Sequence, residues 1–237
     1  MKVGKQLLVD ERPLVVATIS SEKDLDFLLD HPEEAAGDVW EIRLDSLPAG
    51  DERIARISQS GRRPLLFTAR DPLEGGAGNL PWETRLGMLE AVGSGAEFVD
   101  LELRTLEEHE DARRLAQTFE RNEALVVASY HDFEACPSEV ELSRLEQRFK
   151  EVPAGLLKVA VTVSDLEQVV FLAHWLEGLS VPASVMGMGA QGKLSRLVLA
   201  RSGSLLNYGY LRTANAPGQW SAAAMSALLP ELLESLD

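Results

Sequence analysis

The chain of 237 residues is long enough for one full α/β barrel or two small domains, and 45% hydrophobic with 26% charged residues is ordinary for a globular protein. A net charge of −15 argues against nucleic acid or an anionic membrane as the main partner, and it makes any cluster of arginines conspicuous. The single cysteine, Cys136, excludes an internal disulfide and fits a reducing cytoplasm; no apolar run approaches a membrane span, and Asp10 to Pro13 interrupt the N-terminal apolar stretch, so no signal peptide is expected.

In chain order, short apolar strands are expected at 14–20, 39–45, 64–70, 98–103, 124–132, 156–163, 183–189 and 204–211. Amphipathic helices are expected near 22–31, 51–60, 81–93, 108–121, 138–151, 165–178, 192–201 and 219–236. Ser21, Ser138 with Glu141 three residues on, and Ser164 before Asp165 read as helix starts. Eight strand–helix units predict a single (β/α)8 TIM barrel over residues 1–237, because alternating units build parallel sheets. A doubly wound open sheet is the alternative, and residues 1–12 are expected to form a short cap at the bottom of the barrel.

Side chains alternate across a strand, so one face of each must point into the barrel. In 39–45, Trp40, Ile42 and Leu44 suit packing against helices, which turns Glu41, Arg43 and Asp45 inward. By the same alternation Asp100 and Glu102 point inward, as do Ser129 with His131, and Lys158 with Ala160 and Thr162; Arg70 closes the third strand beside Thr68. Charges in such a place must pair or do chemistry, and the active sites of these barrels lie at the C-terminal strand ends.

Among the six lysines only Lys158 sits in an apolar, strand-like run. Burial beside arginines can deprotonate such a lysine near neutral pH and make it a nucleophile. The alternatives are a structural ion pair with Glu41 or Glu102, or snorkelling to the strand end. His131 falls on the adjacent strand, where an imidazole beside an amine suits proton removal next to a carbonyl, or it is a satisfied core histidine. The glycine-rich stretch 70–79 is a mobile lid or a long turn, from which Glu74 can orient a histidine or stand exposed. GMGAQG, 187–192, matches G-x-G-x-x-G, but it falls in the seventh unit and no acid stands about twenty residues on. A tight turn opening a helix is the better reading, with Arg196 one turn inside it and suited to a carboxylate. Asn215 and Gln219 flank the turn after the last strand and offer neutral hydrogen bonds. No Cys and His spacing suits a metal.

Taken in order, EIRLD (Glu41, Arg43), FTARDPLEGG (Arg70, Glu74), DLEL, SYHDF (His131), LLKVAV (Lys158), MGMGAQGKLSRL (Met186, Met188, Arg196) and APGQ (Gln219) resemble the type I 3-dehydroquinate dehydratases. The resemblance implies that Lys158 forms an imine with the ketone of 3-dehydroquinate, a small anionic substrate. It further implies that His131 is the general acid and base, that Glu74 orients it, and that Arg196 holds the carboxylate with Gln219 and Arg70 assisting. Glu41 and Arg43 would contact hydroxyls and the lysine's surroundings, and Met186 and Met188 belong to the matching set. No cofactor and no metal are implied, and the family's frequent dimers suggest a homodimer. Asn215 stands where the family usually has serine before APGQ, and Thr18 stands where it commonly has serine in the first strand; both can still hydrogen-bond. The competing readings are an aldolase-like lysine-imine lyase and a barrel that binds a carboxylate without turnover.

Overall fold

The computed structural model describes residues 6, 12–92, 95–214 and 218–234. Its strands are β1 (Leu14–Ile19), β2 (Val39–Arg43), β3 (Leu65–Thr68), β4 (Phe98–Glu102), β5 (Leu125–Asp132), β6 (Leu156–Thr162), β7 (Ala183–Met188) and β8 (Leu206–Tyr210). All pairings are parallel, in the order β7-β6-β5-β4-β3-β2-β1-β8. The seam between β7 and β8 is closed by serine hydroxyls. Ser204 Oγ accepts from the Val185 N–H (2.9 Å) and donates to the Val185 carbonyl (3.1 Å), while Ser184 Oγ accepts from the Leu206 N–H (2.7 Å). One backbone bond, Leu205 N–H to the Ala183 carbonyl at 3.0 Å, joins them. The fold is the expected barrel, and the open sheet is excluded.

The helices are α1 (Glu22–Asp30), α2 (Glu52–Ser60), α3 (Trp82–Val92), α4 (Leu103–Glu108), α5 (Glu110–Arg121), α6 (Glu139–Phe149), α7 (Leu166–Glu177), α8 (Gly192–Arg201) and α9 (Ala222–Leu233). Ser21 and Ser138 close capping boxes with Asp24 and Glu141, as their spacing requires. For α7 the cap is Asp165 rather than Ser164, because its carboxylate takes the Gln168 N–H at 2.9 Å. The helix expected near 108–121 is α5, and a short helix that was not expected, α4, precedes it. α4 starts straight from β4, where Thr105 Oγ1 donates to Glu102 Oε2 at 3.0 Å, and the chain breaks at His109. β2 and β3 also end earlier than expected. Arg43 forks onto Asp45 (2.9 and 2.8 Å), and Asp45 accepts the Arg70 N–H at 3.1 Å, so Arg70 lies just past β3. The expected cap over 1–12 lies outside the described residues except for Gln6 and Arg12.

Two apolar layers follow from strand alternation. Outward residues such as Trp40, Ile42, Val99 and Leu101 pack against the helices, as expected. Inward residues, including Leu14, Val16, Val39, Leu66, Phe98, Leu125, Val127, Leu156 and Leu206, form a second apolar cluster inside the barrel. All strands run the same way, so the next inward positions along them share one level. Those positions are Thr18, Glu41, Thr68, Asp100, Ser129 and Lys158, all buried. The barrel therefore has an apolar floor beneath a polar mouth.

Candidate active site

Lys158 is only 4% exposed. Its Nζ donates to Asp100 Oδ2 at 2.9 Å and lies 4.0 Å from the centroid of the Tyr208 ring. The partner is therefore Asp100, and neither of the two acids expected from the sequence. Glu102 already receives Arg70 Nη1 (3.0 Å), the Asp71 N–H (2.9 Å), Arg85 Nη1 (2.9 Å) and Thr105 Oγ1 (3.0 Å). Glu41 is held by Thr18 Oγ1 (2.8 Å) and Thr68 Oγ1 (2.9 Å). Burial, aided by Arg70, draws the amine below its ordinary pKa of 10.5, against the opposing pull of Asp100 and Glu41. A buried, partly destabilised ammonium is the setting in which a lysine becomes a nucleophile.

His131 sits on β5, where its register partner is Ala160, two residues beyond Lys158 on β6. Glu74, in a 3-10 turn (Pro72–Glu74), reaches it from the loop after β3. Glu74 Oε2 accepts the His131 backbone N–H at 3.1 Å and faces Nδ1 at 2.9 Å. An oxygen already accepting one N–H is placed to accept a second, which puts the ring proton on Nδ1 and leaves Nε2 with its lone pair. Burial, with the Arg70 and Lys158 charges, holds His131 well below 6.5, while burial pushes Glu74 up to about 7. Charge on the ring is disfavoured, so the contact at rest is a hydrogen bond to a neutral imidazole. That imidazole can act as a base.

Arg70 ties this layer together. Its Nη2 donates to Asp100 Oδ2 (2.7 Å) and its Nη1 to Glu102 and to Ser129 Oγ (2.5 Å), while Ser129 donates to Asp100 Oδ1 (2.6 Å). Arg85, reaching in from α3, bridges Glu102 and Asp71 (2.6 Å). These acids hold Arg70 above its ordinary pKa despite burial, and Arg70 with Lys158 holds Asp100 far below the usual carboxylate range despite burial. Both Nη groups of Arg70 thus face protein acceptors, which leaves it less free for a ligand than expected.

Arg196 differs. It is buried, its Nη1 donates to the Tyr208 carbonyl at 2.7 Å, and its Nε has no partner among the described residues. Burial lowers it to about 10. No acidic partner for it is found among the described residues. A buried cation without a counter-charge is a place for an anion. GMGAQG serves packing here. A Cβ on Gly187 would fall 2.3 Å from Ser195 Oγ and 2.4 Å from Val163 Cγ2, so the missing side chain lets α8 press onto β7 and bring Arg196 to the mouth.

Every expected site residue within the described range lines one cavity of about 120 Å³ at the C-terminal ends of the strands, from Thr18 and Glu41 through Met186 and Met188 to Gln219. Asn215 lies outside the described residues. Phe133 and Tyr208 also line the cavity and were not anticipated; Tyr208's inward position on β8 was the available signal. Ser129 and Arg85 were not anticipated as partners either. A larger groove of about 420 Å³ between α2 and α3 is lined mainly by apolar side chains and lacks a comparable convergence of ionisable groups. Among the described residues no group of three or more His, Cys, Asp or Glu could hold a metal ion.

Fold and site together define a (β/α)8 barrel whose ionisable centre, an amine beside a carboxyl-held imidazole, occupies the strand ends where barrel enzymes work. Comparison with known proteins narrows this class. The chain belongs to the type I 3-dehydroquinase family, which matches residues 14–235. A 3-dehydroquinate dehydratase of Methanocella arvoryzae is 32% identical over 212 residues, 89% of this chain and 93% of that protein. Another, of Thermodesulfovibrio yellowstonii, is 31% identical over 223 residues, 90% and 92% of the two chains. The crystal structure of the type I 3-dehydroquinate dehydratase from Clostridium difficile with covalently modified comenic acid has a TM-score of 0.82 at 24% identity, covering 94% of this chain and 93% of that one. At that identity it speaks for the fold.

Proposed function

We propose that this chain dehydrates 3-dehydroquinate to 3-dehydroshikimate through an imine on Lys158. The observation that carries the reading is the convergence in one cavity of a buried amine, a histidine held at Nδ1 by Glu74, and an arginine lacking a counter-charge among the described residues. Arg196 holds the substrate carboxylate, with Gln219 and Arg70 beside it. Glu41, Arg43 and Thr18 meet the hydroxyl side, and Met186 and Met188 supply apolar walls. Lys158 passes its ammonium proton to His131 Nε2 and adds to the ketone; the imidazolium returns that proton to the carbinolamine hydroxyl, which leaves as water to give the protonated imine, with Asp100 as its counter-ion. His131 Nε2 takes the C2 proton, and the electron pair flows into the imine to give an enamine. The enamine expels the C1 hydroxyl, which the imidazolium protonates, so a water leaves and His131 is restored. Hydrolysis of the product imine frees Lys158. Glu74 holds the ring through both proton transfers.

We infer further that one barrel is the whole catalytic unit, that it needs no cofactor, and that it works as a cytoplasmic homodimer. The lone, half-buried Cys136 supports that location, and no helix among the described residues is long and apolar enough to cross a membrane. Light scattering tests the dimer. Borohydride reduction in the presence of 3-dehydroquinate, followed by peptide mass spectrometry, tests the chemistry. The expected result is a reduced adduct on Lys158 that is absent from a folded, inactive Lys158→Met variant. Active enzyme without an adduct sinks the imine mechanism.

A further inference from the structure

Tyr208 carries a feature that this reading leaves unused. It stands on the inward face of β8 and is 4% exposed, yet its hydroxyl has no partner among the described residues. The residue meets both ends of the site, one through its main chain and the other through its ring. Its carbonyl accepts Arg196 Nη1 at 2.7 Å, and its ring face lies 4.0 Å from Lys158 Nζ. Tyr208 therefore touches the group that holds the substrate carboxylate and the group that attacks the ketone, and it lines the cavity between them. A phenylalanine would offer Lys158 the same ring face and fill nearly the same space without burying an unpaired hydroxyl. We propose that the Tyr208 hydroxyl donates a hydrogen bond to an oxygen of the bound substrate, which makes Tyr208 a specificity residue for a hydroxylated cyclic keto acid. This inference rests on the function proposed above.

The chemistry suits a donor. Burial, together with the nearby Glu41 and Asp100 charges, holds the phenol well above its ordinary pKa, so it stays neutral and keeps its proton. A buried donor left unpaired by a substrate lacking that oxygen discriminates against such a molecule more strongly than an apolar wall does.

Tyr208→Phe separates the possibilities. The expected result is a fall of about tenfold in kcat/KM for 3-dehydroquinate, equal to about 1.4 kcal/mol. The melting temperature should hold or rise, since an unpaired buried hydroxyl is removed. Borohydride should still trap the adduct on Lys158 at saturating substrate. A kcat/KM within twofold of the wild type overturns the inference. So does a fall in melting temperature or failure to fold, which would show that the hydroxyl has a structural partner. A wild-type protein without turnover overturns the proposed function itself and this inference with it, and is thus distinguished from failure of the Tyr208 contact alone.

Discussion

At the scale of single residues, the site works by removing alternatives. Glu102 already accepts four hydrogen bonds and Glu41 is held by two threonines, so Asp100 becomes the acid facing Lys158. That choice could not be read from the sequence. Alternation placed Glu41, Asp100 and Glu102 on inward faces, but which one meets the amine depends on strand stagger and on partners such as Arg85, which arrives from a helix. The inward Lys158 and its neighbour His131 were legible, because both follow from strand parity and strand order. Glu74 lies between these cases, since its loop was visible and its reach was not. Glu74 gives the sharpest residue-scale expectation. Glu74→Gln keeps an oxygen for Nδ1–H but removes the charge that steadies the imidazolium formed during turnover. A loss in kcat of roughly 10²-fold is expected, with KM little changed. The acid limb of the pH–rate profile, which belongs to the Glu74–His131 pair as a unit, should move. An unaltered kcat and profile would remove Glu74 from the mechanism.

At the scale of elements, short contacts between strand and helix decide where the charged groups end up. Element order, caps at Ser21 and Ser138, and the barrel itself follow from periodicity, because those signals are local. The separate helix α4, the shortened β2 and β3 and the cap at Asp165 were missed because side chains from other elements, or carboxylates competing with hydroxyls, set them. The GMGAQG turn illustrates how a motif can be present for packing. Gly187 is where α8 meets β7, and Arg196 follows directly on Ser195, whose hydroxyl would be 2.3 Å from an added Cβ. Gly187→Ala should push α8 outward and destabilise the fold by about 1–3 kcal/mol. Displacing Arg196 should also raise KM more than it lowers kcat. Urea unfolding and steady-state kinetics together check this, and a variant unchanged in both would show that the turn absorbs the methyl group.

At the scale of the whole molecule, a chain of net charge −15 gathers Arg43, Arg70, Arg196 and Lys158 around one cavity, and of these four only Arg196 lacks an acidic partner among the described residues. Stability then depends on pH through groups of opposite sense. Asp45, lowered by Arg43 despite burial, and Asp100, lowered by Arg70 and Lys158 despite burial, have folded pKa values below their unfolded ones. Their contribution is complete above the unfolded carboxylate pKa of about 4 and is lost as pH falls through the folded values. Glu74, raised by burial to about 7, has the reverse sign. Its contribution is complete below its unfolded value of about 4.3 and fades as pH rises through 7. His131, held well below 6.5, opposes Glu74, because its contribution is complete above its unfolded value and is lost as pH falls, so the clear expectation is a steep fall in unfolding free energy below about pH 4. Asp100→Asn identifies the acidic arm. At neutral pH this variant should be weaker by about 3–5 kcal/mol, because Lys158 is left buried without its carboxylate. Its stability should nonetheless change less between pH 4 and 2 than that of the wild type, since the group whose protonation drives the loss is gone. Parallel slopes for the two proteins in urea titrations across that range would place the acid sensitivity in other carboxylates.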